Sequence, residues 1–119
     1  MRQISRAVRA GLIGGLVATG AAAGTYDKMF FVYGIEMSAT LQEADAAVTR
    51  GDYKRAEDLL IPLADGGDAD AQVMLGMMYA NEQAFKDRGG NAYIVHALVC
   101  AAHAEGHPIA RNIADGTCE

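Results

Sequence analysis

The residues with most capacity for chemistry are His96, Cys100, His103 and His107, spaced i+4, i+3 and i+4. On one helix that spacing sets all four along a single stripe. Imidazole and thiolate are borderline and soft ligands, and two neighbours one turn apart can grip zinc or copper. A straight stripe cannot surround a tetrahedral ion, because its ends lie roughly 16 Å apart at the helical rise. At most two adjacent members could serve together with ligands from elsewhere, and the only other thiol is Cys118. No metal and no cofactor is therefore expected.

The cysteines have a plainer use. Two cysteines in a chain sent to an oxidising compartment read as a pair. Cys100 falls in mid-helix and Cys118 just after the next short helix, so a returning chain can bring them together. Closing that loop of about 18 residues contributes roughly 3 kcal/mol on the chain-entropy estimate. A Cys100–Cys118 disulfide is the expectation. No Ser/His/Asp nucleophile motif and no metalloprotease helix is present, and Gly11-Leu-Ile-Gly-Gly lacks the Lys and Ser/Thr of a phosphate loop. Glu57, Asp58, Asp68 and Asp70 belong to helix ends and exposed faces, and Asp68 suits a helix N-terminus. The chain is expected to catalyse nothing.

Delivery to such a compartment is the business of the first part of the chain. Residues 1–37 carry four basic and two acidic groups, a balance of +2; residues 38–119 carry six and thirteen, a balance of −7. An acidic body repels phosphate backbones, so nucleic acid is not an expected partner. Arg2, Arg6 and Arg9 precede an uncharged run over residues 10–26, a basic start and apolar stretch that a secretion apparatus reads.

Two outcomes are open for that run. Ala21, Ala22 and Ala23 meet the small-x-small requirement for signal-peptidase cleavage, which would leave a soluble periplasmic protein. Alternatively the run stays in the bilayer, where seventeen uncharged residues span roughly 25 Å as helix. Asp27 and Lys28 then mark the far interface, and the aromatic stretch 29–33 suits that level. Retention is the preferred reading, because those aromatics on a new N-terminus would need a partner. Ala7, Gly11, Gly15 and Thr19 recur at i+4 and form a small-residue ridge on which a partner helix can approach closely in lipid. The positive-inside rule puts the N-terminus in the cytoplasm and residues 38–119 in the periplasm of a bacterial inner membrane.

The remaining sequence must position these groups, and it reads as helices throughout. Hydrophobic residues make up 51% of the chain and aromatics only 7%, so the core depends on close helix contacts. Ser38 can cap a helix to about Arg50, with Leu41, Ala44 and Val48 on one side. Gly51-Asp52 separates it from a helix through Tyr53, Ala56, Leu59, Leu60 and Leu63, in which Pro62 should produce a kink. After Gly66-Gly67-Asp68 a third helix carries Ala71, Met74, Leu75, Met78 and Tyr79 to about Asn81. Residues 82–90 read as a polar loop. A fourth helix spans about Asn91 to Glu105, and Pro108 opens a short fifth one ending near Gly116. Helices this short must bury a face on their neighbours, which predicts antiparallel pairs in a short α-solenoid.

The stretch from Ala56 to Tyr79 resembles the Sel-one-like repeat, a relative of the tetratricopeptide repeat. The family pattern is A-x-A-Q-x-x-L-G-x-M-Y, and Ala69, Ala71, Gln72, Leu75, Gly76, Met78 and Tyr79 match it. Ala92-Tyr93, Ala101-Ala102, Gly106, Ala110 and Arg111 resemble the second helix of a unit and the start of the next. The resemblance covers residues 52–115. Glu82 and Ala84 stand where the family carries two glycines, and the usual Trp of the second helix is missing. The resemblance implies protein contact without catalysis. In physical terms Ala71, Leu75 and Met78 share one face, Gly76 permits a close helix crossing, and Tyr79 supplies the largest wedge.

The expectation is thus an all-α chain: a transmembrane or signal segment at 1–37, then a repeat domain at 38–119. Its expected role is that of a single-pass accessory subunit, meeting the bilayer through its first helix and other subunits of a membrane protein complex on the periplasmic face. The alternative is a soluble exported protein that binds a ligand or metal.

Overall fold

Side-chain caps start the helices where the sequence places them. Ser38 Oγ accepts the Leu41 N–H at 3.2 Å, Asp52 Oδ1 that of Arg55 at 3.2 Å, and Asp68 Oδ1 that of Ala71 at 3.1 Å. Each satisfies one amide that the first helical turn leaves without a partner. The computed structural model describes residues 24–82, 85, 91–114 and 116–118. Among the described residues there are six α-helices and no strand, so the chain is all-α. They are α1 Asp27–Val32, α2 Ala39–Thr49, α3 Tyr53–Asp65, α4 Ala69–Asn81, α5 Asn91–Ala104 and α6 Pro108–Ala114. They fall into two compact units, one ending at Gly51 and the other beginning at Asp52.

In the first unit, α1 is a six-residue helix whose start is closed by a side chain from α2. Asp45 accepts the N–H groups of Tyr26 at 2.8 Å and Asp27 at 3.0 Å. Leu41, Ala44, Ala47 and Val48 of α2 are buried, as are Tyr26 and Phe30. Residues 29–33 thus form a helix and a turn, in which Phe30 points inward while Phe31 and Val32 stay 80% and 78% exposed.

In the second unit the centre is α4, which packs against α3 on one side and α5 on another. Every residue from Ala71 to Met78 is buried. A helix apolar all round belongs inside, and this one has neighbours to fill each flank. Gln72, the polar member of that run, donates from Nε2 to the Ala64 carbonyl of α3 at 3.1 Å. The α3 helix continues through Pro62 to Asp65. Gly67 and Gly106 end α3 and α5 with φ of 95° and 81°, a left-handed conformation that costs glycine little. At both ends the following amide reaches back five residues, Asp68 to Leu63 and His107 to Ala102.

Gly76 lies where α4 meets α5. A Cβ placed there would be 3.4 Å from Leu98 Cβ and 3.5 Å from Val99 Cγ2. That is room for one methyl and no more. Gly76→Ala should keep or raise the melting temperature, since alanine gains up to about 1 kcal/mol in helix propensity. Gly76→Leu should overpack the contact and cost about 1–3 kcal/mol. Equal melting temperatures for the two variants would show that α5 yields freely at this crossing.

Candidate interaction surface

The His/Cys stripe does not stay on one helix, and its members have different partners. Cys100 is bridged to Cys118, with S–S 2.03 Å and Cα–Cα 5.3 Å. His96, one turn earlier on α5, sets Nε2 3.5 Å and Nδ1 3.8 Å from Cys100 Sγ. His103 is half-buried on the same helix. His107 has left the helix and is buried just ahead of α6. The Ile109 N–H lies 3.2 Å from its Nδ1, and a backbone amide can only donate, so Nδ1 is the acceptor. The proton therefore sits on Nε2 and is donated to Asp70 Oδ1 at 2.6 Å, which ties the start of α6 to the first turn of α4. Both ring nitrogens are engaged. Among the described residues no group of three or more His, Cys, Asp or Glu could hold a metal ion.

The residues that carry the resemblance lie along α4. Ala71, Leu75, Gly76 and Met78 are buried along α4. Tyr79 is half-buried: its hydroxyl donates to Glu57 Oε2 at 2.8 Å, and its ring meets Phe85 edge-on with centroids 4.9 Å apart. Tyr53 approaches the same Phe85 at 5.4 Å and donates its hydroxyl to Glu82 Oε1 at 2.8 Å. That bond to a carboxylate pushes the Tyr53 phenol above its ordinary value. The expected polar loop thus hides a core residue, Phe85, at 1% exposure. A lone Phe among polar neighbours carries no periodic signal; its chemical type was the only clue.

In the second unit, the most exposed large apolar side chain is on α5. Val99 and Ala102 of that helix face inward, whereas Tyr93 is 81% exposed and Ile94 46% exposed. A tyrosine this bare presents a large ring at small entropy cost, the kind of group that anchors protein contacts. On α6, Ile113 is 46% exposed. Comparison with protein-family models, with curated proteins and with solved structures finds no match to this chain.

Ala7, Gly11, Gly15 and Thr19, the expected membrane ridge, lie outside the described residues. No described helix is long and apolar enough to cross a membrane. The far end of the uncharged run is described, and it belongs to the folded first unit. Gly24 and Tyr26 are buried there, Tyr26 at 2% exposure. Their neighbour Asp45 is itself 2% exposed, and burial raises its carboxyl above the ordinary value against the opposing pull of backbone hydrogen bonds from Tyr26, Asp27 and Thr25. This carboxylate gave no sign in the sequence, because its partners are backbone amides, which every residue has.

Proposed function

We propose that the chain is a non-catalytic protein-binding module working on the periplasmic side of a bacterial inner membrane, as an accessory subunit of a membrane protein complex. Its binding unit is the Sel-one-like helical array, and its contact face is centred on Tyr93 and Ile94 of α5. The observation that carries this reading is the exposure of Tyr93, on a helix whose other face is in the core. The Cys100–Cys118 bridge supports an oxidising compartment, since such pairs persist there and are reduced in the cytosol.

Tyr93→Ser tests the face. Exposed positions away from special contacts alter stability by only about 0.5 kcal/mol, so the melting temperature should hold. A central aromatic contact is worth about 2 kcal/mol or more in binding, so retention of the partner subunits during purification should fall at least about tenfold. Unchanged retention with unchanged stability would remove α5 as the contact face.

The second reading, release as a soluble periplasmic protein, is favoured by the burial of Gly24 and Tyr26. With those residues in the folded unit, the uncharged run left for a bilayer is residues 10–23. Fourteen residues make roughly 21 Å of helix, short of a bilayer core of about 30 Å. The same length suits the apolar region of a removable signal.

A further inference from the structure

We propose that the peptide bond between Ala23 and Gly24 is cut during export, and that the α-ammonium group created on Gly24 is held against the buried Asp45 carboxylate. The proposal rests on the export part of the reading above.

The sequence supplies the substrate. Arg2, Arg6 and Arg9 form the basic start, the apolar run follows, and Ala21 and Ala23 put small side chains three residues and one residue before the cut. A membrane peptidase brings water to the Ala23 carbonyl carbon. The new C–O bond forms, the C–N bond breaks, Ala23 keeps a carboxylate, and the amine leaves on Gly24 with a proton. Charge rises by one of each sign, and no other reactant is needed.

The structure supplies the receiver. A side chain at position 24 would run into Asp45, its Cβ 2.5 Å from Cγ and 2.8 Å from Oδ1, with Oδ2 nearer still. A larger residue there would push the Asp45 carboxylate out of its place. The same geometry brings the Gly24 nitrogen, about 1.46 Å from its Cα, to within about 5 Å of the carboxylate. At that range opposite charges favour each other's ionised form.

Among the described residues, no side chain gives Asp45 such a counter-charge. Tyr26 and Asp27 give it amide hydrogens, and the Thr49 hydroxyl accepts from the Thr25 amide and donates to the Asp45 carbonyl. The charged side chain that acts on it is Asp27, of the same sign, and burial outweighs the amide dipoles. A buried carboxylate in that state gains from one positive group at close range. Cutting at Gly24 creates that group at the end of the segment that lies against it. Because Gly24 is buried once the unit has formed, the cut precedes folding.

The test uses the full chain with its own N-terminal segment, produced in an exporting bacterium. Intact mass should give one species beginning at Gly24. A species retaining Met1, or beginning elsewhere, overturns the proposal. A free-thiol assay on the same sample separates this from the location. Bridged cysteines with Met1 retained mean an exported but uncut chain, which overturns the cut and leaves the periplasmic reading. Two free thiols with Met1 retained overturn both. For the charge pair, competitive acetylation of the Gly24 amine near neutral pH should be about tenfold slower in the native protein than in Asp45→Asn, one unit of amine pKa. Equal rates overturn the pairing. If Asp45→Asn does not fold, titration of the Gly24 Cα protons in the native protein decides. A midpoint above the ordinary α-amino range of roughly 7.7–8.0 supports the pair, and one within that range overturns it.

Discussion

Phe85→Ala should lower the unfolding free energy of the second unit by about 3–5 kcal/mol, among the largest effects of any single substitution in this chain. The ring is 1% exposed and has two edge-on aromatic neighbours, Tyr53 and Tyr79, at 5.4 and 4.9 Å. Each such pair adds about 0.5–1.5 kcal/mol to what area burial alone provides. In a chain with no Trp and three Phe, few side chains remain to fill the space. Urea denaturation monitored by helical circular dichroism measures the effect as a shift in midpoint at unchanged slope. Phe85→Leu, which keeps most of the volume, should lose far less. A loss under about 1 kcal/mol for the alanine variant would mean that Phe85 is not the wedge between the two tyrosines.

The second large effect belongs to Asp45→Ala. The substitution takes from the buried Tyr26 amide and the part-buried Asp27 amide the acceptor that now holds them. Each orphaned donor costs about 1–3 kcal/mol, enough to release α1 from α2 in so small a unit. Amide hydrogen exchange at residues 26 and 27 reads this directly, and protection equal to that of the unaltered chain would refute it. The pH dependence carries a sign that tests the environment. Where residue 24 is still joined to residue 23, burial raises the folded carboxyl above its ordinary value of 3.8. Folding then favours the protonated form. The contribution is fully present below 3.8 and is lost as the pH rises through the raised folded value. Acidification from neutral pH should therefore strengthen the first unit of the uncut chain, opposite to the usual behaviour of a salt-bridged carboxylate.

The elements that local chemistry specifies could be read from the sequence, and those made by distant contacts could not. Ser38, Asp52 and Asp68 announce α2, α3 and α4 because a cap and its amide are three residues apart, and Gly106 with Pro108 brackets the break before α6. The pairing of Cys100 with Cys118 followed from there being two thiols and a short return between them. By contrast, residues 29–33 form a continuous apolar run without a period, which suits an interface as well as a helix. Gly24 and Tyr26 are buried beside Asp45, which lies in α2 and acts through backbone amides. His107 looked like the last step of a stripe; its true partner, Asp70, is 37 residues away. The α4 helix is apolar on every side, so its pattern alone names no inward face; its neighbours α3 and α5 do.

The bridge between Cys100 and Cys118 also changes how load travels through the chain. The seven residues of α6 lie within the loop that it closes, with His107 tied to Asp70 at their start. A pull on the chain beyond Cys118 is delivered through the sulfurs to the middle of α5, and α6 itself carries no tension. In a force-extension trace, the oxidised protein should therefore give up its helices without first peeling α6, and the reduced protein should show that added length.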